Sequence, residues 1–120
     1  MMPKQRGPGI FLRASRDIEL VKRHGRRWST SFFNLLVYKM EGAPSRAGIV
    51  VGKRFGNAVR RNRAKRVFRE LIRQSQPDLL PGQALLVFPK REALLQPFGE
   101  MKQVWEATLQ RMRVVRSRPV

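Results

Sequence analysis

The sequence has no cysteine, a single histidine and a single tyrosine, and it sets only 8 acidic residues against 26 lysines and arginines. Each shortage removes a class of chemistry. Without cysteine there is neither a disulfide framework nor a thiolate metal site, and a reducing cytoplasm is the expected compartment. With His24 alone, the usual pairings of a nucleophile with a general base are missing. His24 precedes Gly25, a helix stop, where its ring suits the negative end of a helix dipole better than it suits catalysis. The acids (Asp17, Glu19, Glu41, Glu70, Asp78, Glu92, Glu100 and Glu106) are scattered. The closest two, Asp17 and Glu19, fall about 200° apart on a helix, so no carboxylate cage for two-metal phosphodiester cleavage is expected. No cofactor-binding motif or small-molecule site is expected either. Long apolar runs are missing too. Nothing approaches the roughly 20 uncharged residues that span a bilayer, and the apolar run at residues 10–12 is too short for a secretory signal. Residues 48–53, GIVVGK, are not a phosphate-binding loop, because three residues rather than four separate the glycines and Arg54 stands where a serine or threonine would ligate magnesium.

What is present is positive charge on an otherwise ordinary globular composition. The formal net charge is +18 and hydrophobic residues make up 42% of the 120, enough for one domain with a modest core. Such an imbalance points to nucleic acid first and to an anionic membrane second. Residues 1–10 read as a flexible basic tail, 11–114 as a single RNA-binding domain and 115–120 as a second basic tail. Within the domain, Ser15 offers an N-cap and Gly25 a stop for a helix over 16–24. Residues 31–40 alternate, with Phe33, Leu35 and Val37 on one face and Phe32, Asn34, Leu36 and Tyr38 on the other, wetter one. A second strand is expected over 46–54, in which Gly48, Val50 and Gly52 share a face; glycines there mark either a shallow groove or a close approach of packed groups. Residues 84–88, ALLVF, read as a strand buried on both faces. The last helix is expected over 97–114, with Phe98, Met101, Trp105, Leu109 and Met112 as its core stripe.

Between the second and third of these strands lies the densest charge. Residues 53–73 hold nine lysines or arginines (53, 54, 60, 61, 63, 65, 66, 69 and 73) and one acid, Glu70. At 100° per residue, Ala64, Val67, Phe68, Leu71 and Ile72 fall in one arc, while Asn62, Arg66, Arg69 and Arg73 line the opposite one. Asn57, following Gly56, is the expected N-cap. Arginines near the helix start oppose the dipole. Six like-charged pairs at i+3 or i+4 (60 with 63, 61 with 65, 63 with 66, 65 with 69, 66 with 69, 69 with 73) cost about 1 to 3 kcal/mol together. An approaching polyanion turns that penalty into attraction. Phe32 and Tyr38, on the face that carries Asn34, are candidates to stack bases of a single strand while cations hold its backbone.

The blocks Lys53, Gly56-Asn57-Ala58-Val59, Arg61-Asn62-Arg63 and Lys65-Arg66, at this spacing, resemble the signature of the bacterial ribonuclease P protein component. The resemblance extends in element order from about Phe11 to Met112. It implies an α+β fold in the order α-β-β-β-α-β-α, a ribosomal-protein-like, two-layer sandwich of a sheet packed by helices with a left-handed βαβ crossover through the basic helix. One more short strand is needed, which we place at Arg26–Ser29.

The resemblance also implies a function: an auxiliary subunit of a ribonucleoprotein endonuclease, whose RNA subunit performs the magnesium-dependent removal of the 5′ leader from precursor tRNA. The implied partners are the catalytic RNA and precursor tRNA, with no membrane. By matching positions, Lys53, Arg54, Asn57, Arg61, Asn62, Arg63, Lys65, Arg66 and Arg69 would face RNA. A cleft between the first helix and the sheet, with Ile18, Phe32, Asn34, Leu36, Tyr38 and Val50, would accept the leader. The chain departs from the family at Ile18, Lys22 and Leu36, where aromatics are common, and at Val50 and Gly52, where serine is. A general RNA-binding protein of ribosomal or chaperone type is the alternative reading.

Overall fold

The computed structural model describes residues 10–116. Residues 1–9 of the tail expected over 1–10, and 117–120 of the one expected over 115–120, lie outside that span. The elements are α1 (Ser15–His24), β1 (Arg26–Ser29), β2 (Phe33–Lys39), β3 (Arg46–Ile49), α2 (Ala58–Ser75), β4 (Gln83–Pro89) and α3 (Phe98–Arg111), with 3-10 turns at Lys53–Phe55, Gln76–Asp78 and Arg91–Leu95. The sheet order is β1-β2-β4-β3. β2 is antiparallel to both β1 and β4, and β3 runs parallel to its neighbour β4, so α2 is the crossover of a βαβ unit.

Alternation along the central strands sorts the apolar residues into two clusters. Phe33, Leu35 and Val37 of β2 and Leu85 and Val87 of β4 meet Phe68, Leu71 and Ile72 of α2 and Met101, Trp105 and Leu109 of α3 in the larger one. Phe33, Phe68 and Trp105 form a triad of rings with centroids 5.6 to 6.1 Å apart, inside the range in which edge-to-face contact adds to burial. Trp105 Nε1–H, which would be costly to leave unpaired at this depth, donates to Ser75 Oγ at 2.8 Å and so ties α3 to the end of α2. On the other face of the sheet, Leu12 and Val21 pack on Ala84 and Leu86. β4 is therefore covered on both sides, as its uninterrupted apolar run requires.

Several boundaries differ from the sequence reading, each for a local reason. Ser15 is the first residue of α1 and not its cap; Ala14 holds the cap position without a side-chain bond. The helix is anchored instead by the segment before it, where Ala47 N–H donates to Ile10 O and Leu12 N–H donates to Ala47 O, both at 2.7 Å. Ordered pairing thus begins at Ile10. β2 starts at Phe33 because Thr30 Oγ1 accepts from the amides of Phe32 and Phe33 at 3.1 and 3.0 Å, which folds residues 30–33 into a turn. Phe32 is thereby removed from the alternation and packs against the larger cluster. β3 stops at Ile49, and Lys53 and Arg54 belong to a 3-10 turn whose buried Phe55 draws the chain inward. α3 ends at Arg111, with Pro97 as N-cap. Beyond it Arg113 takes a left-handed φ of 60° and Val114 N–H returns to Leu109 O at 3.1 Å, a helix-ending turn of the kind that usually uses glycine. The chain then pairs back on the loop after α2, with Leu80 N–H on Val114 O and Arg116 N–H on Asp78 O, both at 2.9 Å.

Candidate nucleic-acid interface

α2 begins where its sequence says it should. Gly56 turns the chain at φ 151°, a conformation that disfavours any side chain, and Asn57 Oδ1 then accepts from Arg60 N–H at 2.9 Å. From there the buried positions are Ala64, Phe68, Leu71, Ile72 and Ser75. Burial of that stripe fixes the rotation of the helix and so dictates what faces outward. Asn62, Arg63, Arg66 and Arg69 are exposed, Arg61 and Lys65 flank them half-buried, and Lys53, Arg54 and Asn57 are exposed just before the helix. All nine residues expected to face RNA are thus exposed or half-buried, on α2 or in the turn just before it. Among the described residues none of these cations is paired with a carboxylate; the ion pair Lys39–Glu41 lies elsewhere. Glu70, the single acid of the helix, accepts from Gln74 Nε2 at 3.0 Å instead of neutralising an arginine.

Tertiary structure adds to this surface. The 3-10 turn before α3 brings Arg91, Glu92, Leu94 and Leu95 beside Arg60 and Arg63, forming a shallow groove along the first turns of α2 in which cations outnumber the one acid. A second groove runs between Arg66, Arg69 and Arg73 of α2 and Phe98 of α3. Arg91 is separated from α2 by a whole strand, and no local spacing in the sequence could have placed it there.

The predicted leader cleft lies on the other face of the sheet, under α1. Ile18, Leu36, Tyr38 and Val50 gather there, all half-buried, around Leu12, Val21, Ala84 and Leu86. Asn34 stands on the same face, opposite Phe88 in the β2–β4 register, and its Oδ1 is buried without a hydrogen-bond partner. Phe32, expected here, belongs to the opposite side. Phe88 takes its place as the aromatic beside Asn34; the sequence offered it only as the last letter of an apolar run. The two strand glycines also part ways. A Cβ on Gly48 would come within 2.8 Å of Leu86 Cδ2 and 3.5 Å of Leu12 Cβ, so Gly48 is a packing position, whereas a Cβ on Gly52 would meet nothing within 4 Å. Val50 on the cleft side leads within a few residues to Lys53, Arg54 and α2, so the two surfaces join around the β3 edge of the sheet.

No three His, Asp or Glu side chains among the described residues are placed to hold a metal ion, and no described helix is long and apolar enough to cross a membrane. The arrangement offers, among the described residues, fixed positive charge on and before α2 and a half-buried apolar patch under α1.

Comparison with known proteins agrees with this fold. The Ribonuclease P family model matches residues 8–113. The ribonuclease P protein component of Roseiflexus castenholzii is 33% identical over 105 residues, covering 87% of this chain and 86% of the relative. That of Thermotoga maritima is 36% identical over 81 residues, covering 68% of this chain and 69% of the relative. A solved structure of the Thermotoga maritima RNase P protein superposes with a TM-score of 0.75 at 30% identity, over 84% of this chain and 96% of that one. An RNase P protein from Staphylococcus aureus, at 22% identity, shares the fold with a TM-score of 0.80 over 89% of this chain and 91% of that one. The chain belongs to the ribonuclease P protein component family.

Proposed function

We propose that this protein is the auxiliary subunit of a ribonuclease P holoenzyme, binding both the catalytic RNA and the 5′ leader of precursor tRNA while the RNA cleaves. The observation that carries this reading is the outer face of α2, where arginines and lysines stand exposed or half-exposed without carboxylate partners among the described residues. Lys53, Arg54, Asn57, Arg61, Asn62, Arg63, Lys65, Arg66 and Arg69 hold phosphates of the catalytic RNA. The leader, a single strand, lies in the cleft under α1, its bases against Tyr38 and Phe88. Stacking of this kind contributes about 1 to 3 kcal/mol per base.

The protein then acts by charge. Catalytic RNA and precursor tRNA repel each other, and magnesium, held by the RNAs in this reading, both screens that repulsion and serves the chemistry. Cations on two joined surfaces supply part of the screening, so less magnesium is needed. His24 and the scattered acids take no part in bond breaking. The reaction takes place in the cytoplasm, where precursor tRNA is made.

The test is reconstitution with a ribonuclease P RNA, following leader removal from precursor tRNA at low magnesium. The protein is expected to stimulate cleavage, and the triple replacement of Arg61, Asn62 and Arg63 by alanine is expected to abolish the stimulation with little change in melting temperature. Absence of stimulation by the wild-type protein would overturn the proposal.

A further inference from the structure

The fold assembles a second cationic surface from two segments that are far apart in sequence. Arg26 Nη2 of β1 donates to Met112 O, at the end of α3, at 3.1 Å across a separation of 86 residues. Beside it the Arg111 guanidinium lies over the Trp28 ring, 4.8 Å from its centroid. These contacts bring Arg111 and Arg113 against β1, whose own Arg26 and Arg27 are exposed and which follows directly on Lys22 and Arg23 in the last turn of α1. Along the chain the only acid within four residues of these six cations is Glu19. Glu106 of α3 lines a cavity with Ser75, Asp78 and Arg116 instead.

This surface is separate from the one on α2. β1 and β3 are the opposite edges of the sheet, three strand spacings or about 14 Å apart. α2 packs on β3 and β4 while the second surface lies along β1, so the two patches present their charge at different edges of the sheet. The chemistry of the surface also differs from that of the cleft. Trp28 is packed against the core on one side and covered by Arg111 on the other, leaving no free ring on which a base could stack. Cations without a stacking ring suit an RNA whose bases are already stacked inward, with only its phosphates presented.

We infer that the β1 edge, through Arg26, Arg27, Arg111 and Arg113, is a second RNA-docking surface that grips the phosphate backbone of a helical RNA segment while α2 holds another segment. The inference extends the RNA-binding reading above but has its own test. The Arg27 side chain makes no hydrogen bond or ion pair among the described residues, and Arg113, at φ 60°, occupies a position that favours glycine. Replacement at both sites therefore removes charge without removing a fold contact, whereas Arg26 and Arg111 are left in place because they tie α3 to β1.

Binding of a 16-base-pair RNA duplex is followed by fluorescence anisotropy across a salt series. The proteins compared are wild type, an α2 variant (Arg63→Gln, Arg66→Gln, Arg69→Gln), an edge variant (Arg27→Gln, Arg113→Gly) and their combination. The α2 variant is expected to retain salt-dependent duplex binding. Adding the edge substitutions is expected to lower the salt slope by about 0.9 per cation, roughly 1.8 in all, and to weaken binding about tenfold or more at 0.1 M salt. Arg27→Lys with Arg113→Lys is expected to restore it. Residual binding that the edge substitutions leave unchanged overturns the inference, as does an edge variant that loses binding to phosphatidylserine vesicles while keeping its duplex affinity. An α2 variant that binds like wild type counts against the α2 assignment alone, and the edge comparison is then read in the wild-type background.

Discussion

Replacing Arg69 by glutamate should move stability and RNA affinity in opposite directions. Arg69 is exposed on α2 and its side chain makes no ion pair or hydrogen bond among the described residues, so the fold loses no contact of that kind when it goes. It takes part in three of the like-charged pairs along the helix, with Lys65, Arg66 and Arg73. Each repulsion is worth about 0.2 to 0.5 kcal/mol, and a glutamate converts it into an attraction of similar size. The three reversals sum to about 1 to 3 kcal/mol, and solvent screening at so exposed a position reduces the expected gain to about 1 kcal/mol. For a domain of this size that raises the melting temperature by roughly 4 °C. The gain should disappear at 1 M salt, where the screening length is only about 3 Å. RNA titrations on the same variant should show weaker binding, with the salt slope reduced by about 0.7 to 0.9 for the lost phosphate contact. The assays are thermal denaturation at 20 mM and 1 M salt and binding isotherms over a salt series. A melting temperature that falls at low salt, or one that rises while RNA affinity is untouched, refutes the view that α2 trades stability for anion binding.

Two other substitutions probe how the sites are held. Gly48→Ala should destabilise by about 1 to 3 kcal/mol through overpacking, because its Cβ would sit 2.8 Å from Leu86 Cδ2, while Gly52→Ala, with nothing within 4 Å, should be close to neutral. Equal shifts in the denaturation midpoints would contradict the packing role of Gly48. Asn57→Ala removes the acceptor for Arg60 N–H and should cost about 1 kcal/mol. Asn57→Asp should regain that stability in a urea titration yet bind RNA more weakly than wild type, since it caps the helix with a negative charge.

The residues that the sequence made legible are those whose structure is set by near neighbours. The N-cap at Asn57, the apolar stripe of α2 and the cationic face opposite it all follow from a period of 3.6 residues and one capping side chain. The exposure of Asn62, Arg63, Arg66 and Arg69 bears that geometry out. Phe32 is set by a contact with no such period. Alternation placed it with Asn34, but the Thr30 hydroxyl takes two amides that a strand would have used, and a side-chain bond of that sort leaves no period to read. β1 had no apolar pattern of its own and was placed from family resemblance; it exists because Arg26–Ser29 pairs with β2.

The sequence by itself determined the charge excess, the two-sided basic helix, the want of any acid–base or thiol chemistry, and a motif specific enough to indicate the family. Each of these is a property of composition or of residues within a few positions of one another. Only the tertiary structure decided that Phe88 and not Phe32 stands beside Asn34 on the α1 face, that Arg91 joins the α2 surface, and that Arg26 and Arg111 meet at the far edge of the sheet. Those placements depend on strand order and on contacts between segments many residues apart, and the energy that fixes them, burial of the shared core, has no local signature along the chain.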